Sequence, residues 1–181
     1  IMTETILQTP LSEAAVRGLN AGDGVRVCGR VYTGRDRLHK FLMEGGACPV
    51  SLRDGVLFHC GPVVVPENGG WRVVAAGPTT SIREEPYMAT LIERFGVRAI
   101  IGKGGMGAKT RAACVRFGCV YLQAVGGAAV GGVADDGMSE AGHVNADLMG
   151  AAGFDAHAQE RGEGAGGEGF VAGEGGAAFF R

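Results

Sequence analysis

The feature that most constrains the fold is the segment 97–125, whose sequence predicts a strand, a helix and a second strand in direct succession. The apolar run V-R-A-I-I at 97–101 is typical of a strand buried on both faces, and C-V-Y-L-Q-A-V at 119–125 is another. Between them, A-K-T-R-A-A-C-V-R-F-G at 108–118 predicts a helix that ends at a glycine. Two buried strands joined through one helix predict a right-handed parallel crossover, so an α/β fold is expected.

Earlier residues predict further strands around this unit. Val25, Val27 and Val31 alternate with polar or small residues, which predicts one half-buried strand. Strands are also expected at V-L-F-H-C and W-R-V-V-A-A, around a hairpin turn at P-E-N-G-G.

Two further helices are expected among these strands. Asp36 is the predicted N-cap of the first, D-R-L-H-K-F-L-M-E-G-G, which should stop at Gly45. The second has Pro86 near its first turn and Gly96 just past its end. The residues expected to face the core from these helices are Leu38, Phe41, Leu42, Met88, Leu91, Ile92 and Phe95.

The length and composition indicate one globular domain with an unusual glycine content. Of 181 residues, 46% are hydrophobic, 20% are charged and 34 are glycines. The net charge of −2 gives no indication of a nucleic-acid partner, and no apolar run is long enough to cross a membrane. Because the first residues lack the pattern of a signal peptide, a cytoplasmic location is expected.

The five cysteines are an odd number and include no C-x-x-C pair. They are scattered, several among apolar residues, which is typical of buried thiols in a reducing compartment. The short ligand spacings that metal and cluster sites favour are missing, so we expect no metal site within this chain. The five are Cys28, Cys48, Cys60, Cys114 and Cys119.

The last part of the chain differs in composition from the rest. Residues 1–130 carry 15 Lys and Arg against 10 Asp and Glu, whereas residues 131–181 carry 2 against 9 and hold 14 of the glycines. We therefore predict a main domain over 1–130 and a Gly- and acid-rich, low-complexity tail over 131–181. Because glycine loses the most backbone entropy on folding, the tail is expected to be poorly ordered unless something binds it.

A glycine-rich loop, 102–107, follows the first strand of the crossover. Its sequence G-K-G-G-M-G formally matches the dinucleotide pattern, but the next strand offers no acidic residue to bind a ribose. A nucleoside-triphosphate loop is also excluded, because Gly104 stands where Ser or Thr should hold magnesium. Two interpretations remain: backbone amides, a helix N-terminus and Lys103 that together favour an anion, or a tight turn with a solvated lysine.

Two other loops carry the same kind of residues. G-P-T-T-S-I-R at 77–83 combines three hydroxyls with Arg83, and Y-T-G-R-D-R-L-H at 32–39 combines Arg35 with an acid and a histidine. Helix capping and solvated charge are the alternative interpretations of these two loops. If the three loops lie at comparable strand ends, Arg35, Arg83 and Lys103 form a cluster that suits a small dianion, since Arg binds carboxylates with two hydrogen bonds.

Four motifs, in this order, carry a resemblance to a known family. They are T-G-R-D-R-L-H-K at 33–40, G-P-T-T-S-I-R at 77–83, I-G-K-G-G-M-G at 101–107 and A-V-G-G-A-A at 124–129. Over residues 5–130 the chain resembles the C-terminal domain, or separate β subunit, of class I fumarate hydratases. It is similar in the same way to the β subunit of L-tartrate dehydratase. The four motifs are specific for this iron–sulfur hydro-lyase family and less specific for its substrate.

The resemblance implies a fold, a cofactor and a partner. The family's β portion has a swivelling β/β/α fold and docks on an α portion, which holds a [4Fe–4S] cluster through three cysteines. By this resemblance the cluster belongs to a partner α subunit and not to this chain, in a heteromer expected to be a heterotetramer. Beyond G-M-S-E-A at 137–141, the chain departs from the family and lacks its closing hydrophobic strand.

The resemblance also implies roles for individual residues. The residues expected to bind the substrate are Arg35, Thr79, Arg83, Lys103, Gly102 and Gly104. Among these, Thr79, Arg83 and Lys103 are the expected catalytic residues; the exact role of Thr79 stays open, because an unperturbed hydroxyl is a poor base. Asp36 and His39 match motif positions and are interpreted as residues that orient the substrate-binding side chains.

The activity implied by the resemblance is the reversible hydration of fumarate to malate, a step of the tricarboxylic acid cycle. The chain would bind the C4 dicarboxylate and act only with its iron–sulfur α subunit. Tartrate dehydration is the alternative reaction. A non-catalytic anion-binding or assembly module, with the loops kept and the fold incomplete, is the alternative function.

Overall fold

The structure is a computed structural model that describes residues 4–67, 70–124, 172–173 and 177–180. These residues form ten strands, four α-helices and one 3₁₀ turn. The strands are β1 Glu4–Gln8, β2 Gly24–Cys28, β3 Val31–Gly34, β4 Val56–His59, β5 Val63–Glu67, β6 Gly70–Ala75, β7 Ala99–Gly102, β8 Val120–Gln123, β9 Ala172–Gly173 and β10 Ala177–Phe180. The helices are α1 Glu13–Arg17, α2 Asp36–Met43, α3 Glu85–Phe95 and α4 Ala108–Phe117, and the 3₁₀ turn is Ser81–Glu84.

The central element is a five-stranded sheet with the order β8-β7-β4-β3-β9. Strands β3, β4, β7 and β8 are all parallel, with β4 in register with β3 and β7, and β7 with β8. Helix α4 joins β7 to β8, so the strand–helix–strand unit with parallel strands is confirmed.

The central sheet separates two hydrophobic clusters. Because neighbouring residues of a strand point to opposite faces, Val56 and Phe58 pack into one cluster and Leu57 into the other. The first cluster joins the central sheet to a small sheet of β1, β2 and β10, and the second packs it against α2, α3 and α4. The layers therefore run sheet, sheet, helices, in a mixed α/β fold. The swivelling character of the fold stays a prediction.

One predicted strand is two strands in the structure. Val25 and Val27 lie in β2 of the small sheet, whereas Val31 begins β3 of the central sheet. The chain turns between them at Gly29, whose φ of +95° is one that residues with a side chain rarely adopt. The Arg30 N–H donates to the Thr9 hydroxyl at 2.6 Å, which holds the turn. Alternation alone did not reveal this break.

The predicted hairpin has a different first strand. Strand β6 pairs antiparallel with β5, which the sequence analysis missed, while the V-L-F-H segment forms β4 inside the central sheet. Strand β4 is buried on both faces, as parallel strands covered on both sides require.

The two predicted helices that precede the crossover are confirmed, with one correction. Helix α3 has Pro in its first turn and ends at Gly96 in the left-handed conformation. In α2, the N-cap is Arg35 and not Asp36, which lies in the first turn. The Asp36 carboxylate instead accepts a hydrogen bond from Arg83, as described below.

The described part of segment 131–181 consists of two short strands. Residues 172–173 pair antiparallel with β3, and residues 177–180 pair antiparallel with β2. The other residues of 131–181, with the prediction of poor order made for them, lie outside the described part of the chain. Within that described part, the helices fall short of the length and apolar character that a bilayer crossing demands.

Candidate functional site

The predicted loops meet at one edge of the central sheet. Arg35 follows the last residue of β3, His59 ends β4, and Lys103 follows the last residue of β7. Since β3, β4 and β7 are adjacent and parallel, these three positions lie at the same edge, which we call the carboxyl edge. Thr80 forms a parallel bridge with Lys103, so the hydroxyl-rich loop after β6 joins the same edge.

Thr79 is fixed to the end of β4. Its backbone N–H donates to the His59 carbonyl at 2.7 Å, and its hydroxyl donates to the same oxygen at 3.0 Å. The hydrogen of the hydroxyl is therefore engaged, and its oxygen keeps lone pairs that can accept a hydrogen bond. Thr79 is half-buried, so this oxygen lies at the border between protein and solvent.

The cationic side chains differ in how they are held. The Arg35 side chain passes over Gly61, where a β-carbon would lie 2.9 Å from Arg35 Cδ and 3.1 Å from its Nη1. Arg83 is 60% exposed, and its Nη2 donates to Asp36 Oδ2 at 3.1 Å. Lys103 is exposed. The structure thus brings Arg83 and Asp36 into contact, and it places Arg35 and Lys103 at the ends of strands on either side of β4.

A buried acidic cluster lies beneath Arg83. His39 Nδ1 lies 2.7 Å from Glu84 Oε2, and both side chains are almost fully buried. Burial, together with the charge and hydrogen bond of Asp36, raises the pKa of Glu84 to about 7, against the opposing charges of Arg83 and Arg35. Glu84 therefore gains or loses a proton near neutral pH. Asp36 contacts Arg83 and His39 contacts Glu84, and the orienting roles expected for Asp36 and His39 stay predictions.

A second buried cluster lies beneath Lys103, and sequence analysis missed it. His59 Nδ1 lies 2.9 Å from Ser81 Oγ. Ser81 Oγ in turn lies 3.1 Å from both the backbone nitrogen of Lys103 and the hydroxyl of Tyr121. Burial, together with the charge of the neighbouring His39, lowers the pKa of His59 to about 3. His59 is therefore neutral at physiological pH.

The glycines of the 102–107 loop serve different purposes. A β-carbon on Gly102 would overlap the Ser81 hydroxyl and lie 3.2 Å from His59 Nδ1, so this position has no room for a side chain. Gly104 and Gly105 have φ values of +80° and +84°, and no atom lies within 4 Å of a β-carbon built on either. Gly102 is thus a packing requirement, and Gly104 a conformational one with open space above it.

The N-terminus of α4 already has an anion. Glu85, in the first turn of α3, accepts hydrogen bonds from the N–H groups of Gly107, Lys109 and Thr110 and from the Thr110 hydroxyl. Burial alone would raise the pKa of Glu85, but these hydrogen bonds outweigh it and lower the pKa below the ordinary value. An outside anion at the 102–107 loop must therefore use groups other than this helix end.

The described cysteines do not fit a metal cluster. All five are free thiols, and burial raises the pKa of Cys60 to about 12, so it stays protonated. Across residues 4–67 and 70–124 and the two short C-terminal strands, no three His, Cys, Asp or Glu side chains are placed to hold a metal ion. An iron–sulfur cluster has no ligand set among the described residues.

The four predicted site residues differ in exposure. The Arg83 side chain is 60% exposed and Lys103 is exposed, whereas Arg35 and Thr79 are half-buried. Solvent therefore reaches Arg83 and Lys103 more freely than the other two.

Comparison with known proteins agrees with the motifs. A family model described as fumarase C-terminus matches residues 2–148, which extends beyond the predicted boundary at 130. A protein of Geobacillus stearothermophilus named "Putative fumarate hydratase class I" is 56% identical over 108 residues, covering 59% of this chain and 21% of that protein. The L(+)-tartrate dehydratase subunit beta of Escherichia coli K12 is 37% identical over 113 residues, covering 62% of this chain and 56% of the relative. The chain thus matches less than two thirds of the length of either relative.

Proposed function

Because the chain belongs to the fumarase C-terminal family, in which class I fumarate hydratases and tartrate dehydratase β subunits fall, we propose that it is the β subunit of a class I fumarate hydratase. The reaction is the reversible addition of water to fumarate to give malate. The complete enzyme requires a second, α subunit.

The observation that carries this proposal is the arrangement of the carboxyl edge. Arg35 and Lys103 follow parallel strands on either side of β4, and Thr79 and Arg83 come from the segment after β6, which the bridge between Thr80 and Lys103 joins to the same edge. The Arg83 side chain is 60% exposed. A C4 dicarboxylate carries two negative charges a short distance apart. Three cations at one edge match that charge, and the planar guanidinium groups match the geometry of carboxylates.

Each predicted residue has a part in the proposal. Arg35, Arg83 and Lys103 bind the carboxylates, and the open space above Gly104 leaves room for the substrate against the loop. Thr79 presents its oxygen toward the substrate, where it can hold the hydroxyl or the proton at the reacting carbon.

The rest of the site belongs to the partner. Since the described cysteines do not fit a cluster, we place the [4Fe–4S] cluster on the α subunit, where it supplies Lewis acidity to the reaction. The exposure of Arg83 and Lys103 supports a site that is completed by a second surface. The proposed assembly is a cytoplasmic heterotetramer, in a compartment that keeps thiols reduced.

L-tartrate is the second candidate substrate. Its support is the 37% identity to the E. coli tartrate dehydratase subunit beta, which covers 62% of this chain. Both substrates are C4 dicarboxylates and place the same demands on the three cations. A non-catalytic anion-binding module is the remaining alternative.

The test is anaerobic co-expression of the full chain with a candidate iron–sulfur α subunit, followed by assays on fumarate, malate and L-tartrate. We expect turnover of fumarate and malate by the complex and none by the iron-free chain alone. Preferred turnover of tartrate would establish the second candidate. A loaded complex inactive on all three would refute the enzymatic proposal, and turnover by the isolated chain at rates near those of the complex would refute the need for a partner.

A further inference from the structure

The buried hydroxyl of Ser81 lies at the centre of a network that the predicted site residues share. Ser81 is fully buried, and its oxygen lies within 3.1 Å of polar atoms from His59, Lys103 and Tyr121. Its space exists because residue 102 is glycine. His59 ends β4, Lys103 follows the last residue of β7, and Tyr121 lies within β8.

The direction of every hydrogen bond in this network follows from one atom. His59 Nε2 lies 3.2 Å from Met88 Sδ, which has no hydrogen to donate, so Nε2 carries the hydrogen of the neutral ring. Nδ1 is then an acceptor, and the Ser81 hydroxyl must donate to it. The two lone pairs of Ser81 Oγ are left to accept from the Lys103 N–H and the Tyr121 O–H.

This arrangement fixes the backbone of the glycine-rich loop. Ser81 Oγ accepts from the Lys103 N–H, and the Ser81 N–H donates to the Lys103 carbonyl at 3.0 Å. Ser81 thus binds both polar groups of the Lys103 backbone. The Tyr121 oxygen in turn accepts from the Gly105 N–H at 3.2 Å, so both residues that flank Gly104 are tied to the same hydroxyl pair.

The network also reaches Thr79. The His59 side chain is held by Ser81, and the His59 carbonyl holds the Thr79 hydroxyl and N–H. One buried serine therefore connects the residues that present the ammonium and the hydroxyl at the carboxyl edge. All of its hydrogen-bonding capacity is used, which makes the arrangement rigid.

We propose that Ser81 is a positioning residue of the hydro-lyase reaction, which sets the Lys103 loop against Thr79, with Tyr121 as its second support. This inference rests on the proposed function, because it takes Lys103 and Thr79 as residues that contact the substrate. A serine that served stability alone would leave the kinetics of the folded enzyme unchanged when it is replaced.

The test compares Ser81→Ala and Tyr121→Phe in the assembled complex. For Ser81→Ala we expect kcat to fall by about 10–100-fold, since a displacement of about 1 Å in a reacting group costs up to about 100-fold. KM should stay within about threefold, because all three cations remain. Tyr121→Phe removes one of the three bonds to the Ser81 oxygen, and its kcat should fall by about 3–10-fold.

Ser12→Ala is the matched control, since it makes the same chemical change. The Ser12 hydroxyl accepts from the Ala15 N–H at 3.1 Å at the start of α1, and the neighbouring Leu11 N–H binds the Asp54 carbonyl, before the first residue of β4. Ser12 therefore lies at the sheet edge opposite the site. Its replacement should lower Tm and leave kcat and KM unchanged.

A second readout does not depend on activity. In the full chain, the Lys103 amide hydrogen should exchange at least about 10-fold faster in Ser81→Ala than in wild type, because its acceptor is gone, and at the wild-type rate in Ser12→Ala. Equal kcat for folded Ser81→Ala and wild type would overturn the inference. If Ser81→Ala does not fold, wild-type kinetics of Tyr121→Phe would overturn it. If the complex that contains the wild-type chain is inactive, the proposed function is refuted. Separately, an unchanged exchange rate of the Lys103 amide in Ser81→Ala would refute the role of Ser81 in fixing the loop.

Discussion

Replacing Gly102 or Gly104 with alanine separates two reasons for a glycine in the same loop. A methyl group at 102 would overlap the Ser81 hydroxyl, so Ser81 has to move away from His59, Lys103 and Tyr121. The loss of three hydrogen bonds costs about 1 kcal/mol each, and overpacking adds about 1–3 kcal/mol. We therefore expect Gly102→Ala to lower the free energy of unfolding by about 4–6 kcal/mol.

Gly104→Ala is the matched comparison. Nothing lies within 4 Å of a β-carbon at 104, so the only cost is that of a side chain at a φ of +80°. That cost is about 1–2 kcal/mol. The free energies of unfolding of the two variants should therefore differ by about 2 kcal/mol or more, with Gly102→Ala the less stable.

The assay is urea unfolding of the full chain at 25 °C, followed by circular dichroism, with the slope of free energy against urea compared between variants. An equal slope shows that the compactness of the two states is unchanged. A Gly102→Ala protein within about 1 kcal/mol of wild type would refute the packing of Ser81 against residue 102. A greater loss for Gly104→Ala than for Gly102→Ala would refute the whole comparison.

Three further variants test the charges around the carboxyl edge. Arg83→Lys keeps the charge but loses the planar pair of donors, so kcat/KM of the complex should fall by about 10–1,000-fold. The control, Arg53→Lys, lies outside the motifs and should leave kcat/KM nearly unchanged. Equal kinetics for the two variants would exclude Arg83 from the site. Glu85→Gln should lower the free energy of unfolding by about 1–2 kcal/mol at pH 7. Because the folded pKa of Glu85 is lowered, this difference between variant and wild type in urea unfolding should shrink as pH falls below about 4.5. A difference that is independent of pH would contradict the role of the Glu85 carboxylate as acceptor at the start of α4. The folded pKa of Glu84 is raised from 4.5 to about 7, so the folded state loses stability as pH rises through that window. Between pH 5 and pH 8, Tm should therefore fall more in wild type than in Glu84→Gln. Parallel Tm profiles for the two proteins would be inconsistent with this titration.

The sequence predicted the elements whose pattern is local. The apolar run at 97–101 becomes β7, whose four residues are all buried because both faces of this parallel strand are covered. The run at 119–125 becomes β8 at the edge of the central sheet, where only Leu122 is buried, so the prediction that this strand is buried on both faces was wrong. The stripe of Met88, Leu91 and Ile92 becomes the buried face of α3 for the corresponding helical reason. Parallel pairing of strands placed the loops after β3 and β7 at one edge, whereas the 77–83 loop follows β6 of the antiparallel pair and reaches that edge through the bridge between Thr80 and Lys103.

The missed features depend on partners distant in the sequence. Ser81 lies 22 residues from His59 and 40 from Tyr121, and Glu85 lies 22 from the N–H group of Gly107 that it binds. No periodicity records such pairs, because each partner belongs to a different element. The available signal was a polar residue in an apolar setting, as His59 is in V-L-F-H-C, and a buried polar residue implies a hydrogen-bonding partner without naming it.

The two buried clusters beneath the carboxyl edge should respond differently to pH, which distinguishes the Arg83 side of the site from the Lys103 side. The Ser81 cluster is neutral at all ordinary pH values, because His59 has a pKa of about 3 and serine does not titrate. The Glu84 cluster gains or loses a proton near pH 7, and Asp36 connects it to Arg83 at 3.1 Å. In a nuclear magnetic resonance titration of the full chain from pH 6 to 8, the Arg83 side-chain and Asp36 amide signals should therefore shift. The Lys103 amide signal should stay within the range shown by amides of β2, because its acceptor carries no charge at either end of the titration. A Lys103 shift as large as that of Asp36 would mean that His59 is not the neutral residue its burial makes it.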